Sequence, residues 1–245
     1  MDDITTLLKS ADNALQREKY IDAIRDYLKA IELIKDSDPS TVGDVYYKVS
    51  QAYSALEPKN IENSMKYAKM ALDIHGKSGE KDLEIVDRLN MFYILMDAGK
   101  FTESGEELER ALTMARETGD EGLVNMVLLA KAELLGSHKG NEGELLKIYN
   151  DVMESSKKIG DWDSYFEAKK GIIEDIRKHG NAEDALTKSM ESLNEIDQIS
   201  AGIKNKKERK EFRSSLSYIY DIASDISMEM GNVDDAIKIA QRLSE

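Results

Sequence analysis

Chain breakers recur in this sequence at a spacing near that of one helical pair. Pro39, Gly79, Gly119, Gly160 and Gly202 follow one another at steps of 40, 40, 41 and 42 residues. A glycine that closes a helix-compatible run is a stop, and an acid directly after it starts the next helix. Gly79-Glu80, Gly119-Asp120 and Gly160-Asp161 carry both signs. A second series falls between these breaks: Glu18-Lys19, Lys59-Asn60, Gly99-Lys100, Gly140-Asn141, Gly180-Asn181 and Gly231-Asn232. Together the two series predict about six hairpins and roughly twelve helices of about 15 to 20 residues each. The units fall at approximately 1–38, 39–79, 80–119, 120–160, 161–201 and 202–245, in a single all-α array.

Within the first unit, Lys19 to Ile31 sets small residues against aromatic ones. Ala23 and Ala30 allow close helix approach, and Tyr20 and Tyr27 lie three or four residues away on the same helical face, where a neighbouring helix buries them. Later units repeat the pattern in weaker form, with Ser64, Ala68 and Ala71, then Ser104, Leu108 and Ala111, and further on Ala182, Ala185 and Ser189. With Ala11 and Ala14 upstream, the first unit resembles a tetratricopeptide repeat, here at a period of about 40 where that family usually has 34. The resemblance implies a right-handed α-α superhelix whose first helices line a groove for peptides. It also brings a family clamp for terminal carboxylates, but its lysine and asparagine positions hold Leu8 and Asp12 here, so that clamp is absent.

Composition narrows the chemistry. The chain has no cysteine, which removes disulfides, cysteine-ligated metals and thiol catalysis and fits a reducing cytoplasm. A net charge of −14 opposes nucleic-acid binding, and no apolar run reaches the roughly 20 residues that span a bilayer. Residues 200–245 hold equal numbers of acids and bases, so the acidic excess lies before Ser200 and favours neutral, basic or amphipathic partners.

Individual motifs carry little. Gly76-Lys77-Ser78 ends like a phosphate-binding loop but lacks the earlier glycine, where Ala71 stands, and the preceding strand. His75, His138 and His179 fall near helix ends in separate units and read as surface or capping residues, not metal ligands. Asp161-Trp162-Asp163 reads as a helix start. With no nucleophile beside a plausible base, neither an enzyme nor a cofactor or metal site is expected.

The groove is therefore the candidate site. In the family's register one column runs through Asp12, Tyr53, Tyr93, Leu134, Glu174 and Asp225, and another through Leu8, Val49, Leu89, Ala130, Lys170 and Asp221. Tyr46, Val86 and Val127 flank them, giving a groove apolar in its middle and charged toward its end. The same register sends Lys48 and Gln51 into the core of the second unit. Met91 to Met96 and Leu123 to Leu129 are apolar around most of the helix, so they need cover from neighbouring repeats or from a bound peptide or helix.

Two other surfaces stand out. Gly180 and Gly231, in the fifth and sixth turns, lie 51 apart, and the added residues include Lys204, Lys206, Lys207, Arg209 and Lys210, read either as a solvated linker or elongated first helix or as a docking patch for an acidic partner. Tyr218, Ile222 and Ile239 mark a C-terminal unit without a capping helix, where a homodimer could form. The expected function is noncatalytic protein or peptide recognition, as an adaptor scaffold. The alternatives are a peptide-sensing regulatory domain and an enzyme with dispersed residues.

Overall fold

The computed structural model describes residues 4–34, 39–137 and 140–243. Thirteen helices and no strand occur among them. In order they are α1 (Ile4–Gln16), α2 (Tyr20–Ile34), α3 (Pro39–Ser54), α4 (Ile61–Ser78), α5 (Lys81–Asp97), α6 (Phe101–Thr118) and α7 (Glu121–Gly136). They continue as α8 (Glu142–Ile159), α9 (Trp162–Lys178), α10 (Ala182–Gly202), α11 (Lys206–Ser215), α12 (Ser217–Glu229) and α13 (Val233–Arg242). None is long and apolar enough to cross a membrane.

The chain forms two compact units, Met1–Val127 and Leu128–Glu245. In the first, α1 packs on α2, α2 on α3, α3 on α4, α4 on α5 and α5 on α6. In the second, α8 packs on α9, α9 on α10, α10 on α12 and α12 on α13. Apart from α10, which passes over α11 to pack on α12, these helices pack on their neighbours in sequence, which is the packing of a helical repeat.

The helix ends explain why the breaks sit where they do. Gly79, Gly119 and Gly160 close α4, α6 and α8 in the left-handed region, at φ 74°, 74° and 76°. Such a residue turns the chain and lets its amide reach the last open carbonyls. Asp161 then caps α9, accepting a bond from the Ser164 amide at 3.1 Å, and Asp120 accepts from Gly122 and Leu123. Glu80 makes no such cap. Gly202 also departs from the expectation: it is the last residue of α10, and Ile203 follows in extended conformation.

The predicted small and aromatic positions form the core. Ala23, Tyr27 and Ala30 of α2 are fully buried, as are Ala68 and Ala71 of α4 and Ala111 of α6. Burying a large apolar side chain contributes roughly 1.5–3 kcal/mol, so the buried stripes of α2, α4 and α6 are what hold these helices to their neighbours.

The added residues near Ser200 form neither a plain linker nor an elongated first helix. They build α11, a ten-residue helix with no buried residue, separated from α12 by fully buried Leu216. Leu216 inserts beside Phe166, Leu193 and Tyr220, and that anchor breaks the helix into two.

Candidate functional site

Helices α3 and α5 supply the exposed face of the first unit, and the aromatic packing behind α3 sets its register. Tyr46 and Tyr53 both stack on Tyr67 of α4, with ring centroids 5.8 and 5.7 Å apart. Val49 lies between them on the same side and is fully buried. These three predicted groove residues therefore face the partner helix. Of the two residues that the family's register sent inward, Gln51 is exposed and Lys48, like Tyr47, is half-buried. Gln51 Nε2 donates to the Tyr47 hydroxyl at 2.8 Å.

Asp12 is committed internally. The Tyr27 hydroxyl donates to it at 2.6 Å and Lys48 Nζ at 2.7 Å, tying α1, α2 and α3 together. Burial alone would raise the Asp12 carboxyl, but these bonds outweigh it and hold the group below its ordinary value. Burial, then Asp12, pushes the Tyr27 phenol far up.

On α5, Leu89 is buried and leaves the predicted groove, Val86 is half-buried, and Tyr93 stays 42% exposed, edge-on to Phe92. Asn90 Nδ2 donates to Ser50 Oγ at 2.9 Å and joins α5 to α3. These two helices thus present exposed Gln51 and Tyr93, with Tyr47, Lys48 and Asn90 half-buried beside them. Val127, the last residue of this unit, is fully buried and also leaves the groove.

His75 is not the surface residue that the sequence suggested. It is 1% exposed, with Nδ1 2.7 Å from Oδ2 of equally buried Asp87. Asp44 Oδ1 lies 3.7 Å from Nε2. The imidazole fits because residue 43 is glycine: a Cβ there would overlap the ring. The readable signal was the stripe Ser64, Ala68, Ala71 and His75, whose steps of four, three and four keep one face of α4 inward. His179 is exposed, and His138 lies outside the described residues.

In the second unit, α7, α9, α11 and α12 enclose an open pocket of about 390 Å³. Leu129 and Tyr218 give it an apolar surface, and Asp163, Glu167, Ser164 and Ser215 make it polar. Predicted Lys170 is near: it bonds Glu167 at 2.7 Å and sits 5.5 Å above the Tyr218 ring. Burial would lower the Lys170 ammonium, but Glu167, Glu174 and Glu133 raise it. Burial, then Glu167 and Asp163, pushes the Tyr218 phenol up. Glu174 is exposed and Leu134 half-buried. Asp163 and Tyr218 are 55 residues apart in sequence, so no local motif announced the pocket.

The remaining predicted surfaces divide. Lys204, Lys206, Lys207 and Lys210 are exposed, whereas Arg209 turns back to donate twice to the Ile203 carbonyl. Ile239 is core, packed with Leu216 and Tyr220, and Ile222 packs on Ile173 and Ala185. Neither forms an open surface; the exposed apolar residues of α13 are Val233 and Ile237.

No protein-family model matches the chain, and no curated protein does. Solved structures do. A signal-transduction ATPase with a tetratricopeptide-repeat sensor, from Pyrococcus horikoshii, matches 97% of this chain and 36% of its own at 18% identity and TM-score 0.66. Aspartyl phosphate phosphatase F from Bacillus subtilis matches 98% and 69% at 14% identity and TM-score 0.62. The Rap conjugation gene regulator of plasmid pLS20, in complex with the Phr* peptide, matches 98% and 72% at 17% identity and TM-score 0.54. With the serial helix packing, these likenesses establish the fold: this chain is a tetratricopeptide-like helical-repeat protein.

Proposed function

We propose that this chain is a noncatalytic peptide-recognition module whose ligand lies on its first helices: α3 and α5 in one unit, α9 and α12 in the other. The outer side of α3 and α5 carries the reading. Exposed Gln51 carries an amide that both donates and accepts, the requirement for pairing with a peptide backbone, and exposed Tyr93 offers an apolar anchor with a polar tip. A neighbour of the same fold is held with a peptide, which supports the same use here. In the second unit Asp163 and Glu167, on a chain of net charge −14, favour a neutral or basic peptide.

Catalysis fits less well, although one neighbour is named a phosphatase. The His75–Asp87 pair resembles a base with its orienting acid, but at 1% exposure each it is closed to substrate. The cysteine-free chain suits a reducing cytoplasm. A second copy would meet Val233 and Ile237 of α13, and a concentration-independent monomer mass excludes that pairing.

Peptides selected from a phage-displayed random library, titrated calorimetrically, test the proposal. Gln51→Ala with Tyr93→Ala should weaken binding about tenfold or more while leaving the unfolding midpoint nearly unchanged. Unaltered binding in a folded double variant rejects the site, and turnover of an acyl phosphate by the wild type rejects the noncatalytic reading. Solution scattering with and without the peptide separates a sensor, whose shape changes, from a passive adaptor.

A further inference from the structure

The second helices of the first unit bear a groove of different character. It occupies about 530 Å³ between α2 and α4, and Tyr46, Tyr67 and Met70 form part of its floor. Arg25, Lys29 and Lys66 stand on its rim with a single acid, Glu32. The Arg25 guanidinium is already taken by Asp22 at 2.8 Å and Asp26 at 2.9 Å. Lys29 and Lys66 form no ion pair among the described residues, and Lys66 Nζ sits 5.0 Å above the Tyr67 ring. An apolar floor between two open ammonium groups is thus set into a chain whose net charge is −14.

Two properties select the occupant. The floor requires an apolar stripe, and the rim requires carboxylates beside that stripe. A membrane or a nucleic acid could supply anionic groups, but each would bring a large anionic surface against the rest of an acidic protein. A narrow ligand avoids that repulsion. We propose that the groove between α2 and α4 docks an acidic amphipathic helix of a partner protein, its apolar side on Tyr67 and Met70 and its carboxylates at Lys29 and Lys66. The 15 residues of α2 limit the seat to roughly 22 Å, or about four helical turns. This surface lies on the second helices and does not rest on the peptide site assigned to α3 and α5.

The probe is a labelled 14-residue synthetic helix with leucines at positions i, i+3, i+4 and i+7 and glutamates beside them, compared with a twin that has lysine for each glutamate. Fluorescence anisotropy at low salt should show saturable binding of the acidic peptide, about tenfold or more tighter than the twin, weakening as salt shortens the Debye length. Lys29→Glu with Lys66→Glu should reduce that affinity about tenfold or more, the corresponding glutamine variant should fall between, and Tyr93→Ala should leave it unchanged. Circular dichroism verifies that each variant is folded. Equal binding of the twin, indifference to charge reversal in a folded variant, or no saturable binding overturns the proposal. Uptake onto phosphatidylglycerol vesicles without peptide binding overturns it in favour of a lipid surface.

Discussion

Glu18 holds φ at 58° in the turn between α1 and α2, where the corresponding turns later in the chain place Gly99, Gly140, Gly180 and Gly231 at φ 70° to 93°. A side chain in that region meets its own backbone, and glycine avoids the clash at some cost in unfolded-state entropy. Glu18→Gly should therefore stabilise the first unit by about 0.5–1 kcal/mol, read from the denaturant midpoint. An unchanged or lower midpoint would show that the strain is relieved elsewhere. Asp87 makes a different prediction. Burial pushes its carboxyl up to about 6 against the bond and charge of His75, with Asp44 and Glu84 adding to the rise. The folded chain then holds this proton more tightly than the unfolded chain, so the associated stability is present at low pH and lost as pH rises through about 6. Measured against Asp87→Asn, the wild type should lose stability between about pH 4 and 6.5. A constant difference between the two across that range would contradict the assignment.

At the scale of helices, the breaks were legible and the rotations were not. Proline, glycine and the caps act within a few residues of themselves, so their spacing located almost every helix end in advance. Which side of α3 faces inward is decided by Tyr67, some twenty residues later, because Tyr46 and Tyr47 differ by one position and both could fill a core. Tyr53 and Val49 followed the wrong side for the same reason, which also sent Gln51 inward, and Asn90 went unnoticed. Two glycines inside helices were equally silent. Gly43 of α3 makes room for His75, and Gly171 of α9 for the Tyr149 ring of α8, since a Cβ at either position would overlap those groups. Gly43→Ala and Gly171→Ala should each destabilise by about 1–3 kcal/mol through overpacking. Gly143→Ala, on α8 with open space around it, should instead gain up to about 1 kcal/mol from helix propensity. Thermal melts that rank all three alike would refute the close packing assigned to Gly43 and Gly171.

For the molecule as a whole, the sequence pattern identified the repeat architecture, while the partition of its surface needed coordinates. The first unit separates an amide-bearing side on α3 and α5 from a lysine-rimmed groove on α2 and α4, and in the second Asp163, Glu167 and Tyr218 share a pocket. Net charge alone averaged over these differences. That the first helices receive a peptide is the central claim, and hydrogen exchange with a library-selected peptide bound tests it most directly. Added protection should fall on α3 and α5, on α9 and α12, or on both pairs. Protection confined to α2 and α4, or no change in any helix at saturating peptide, would contradict it.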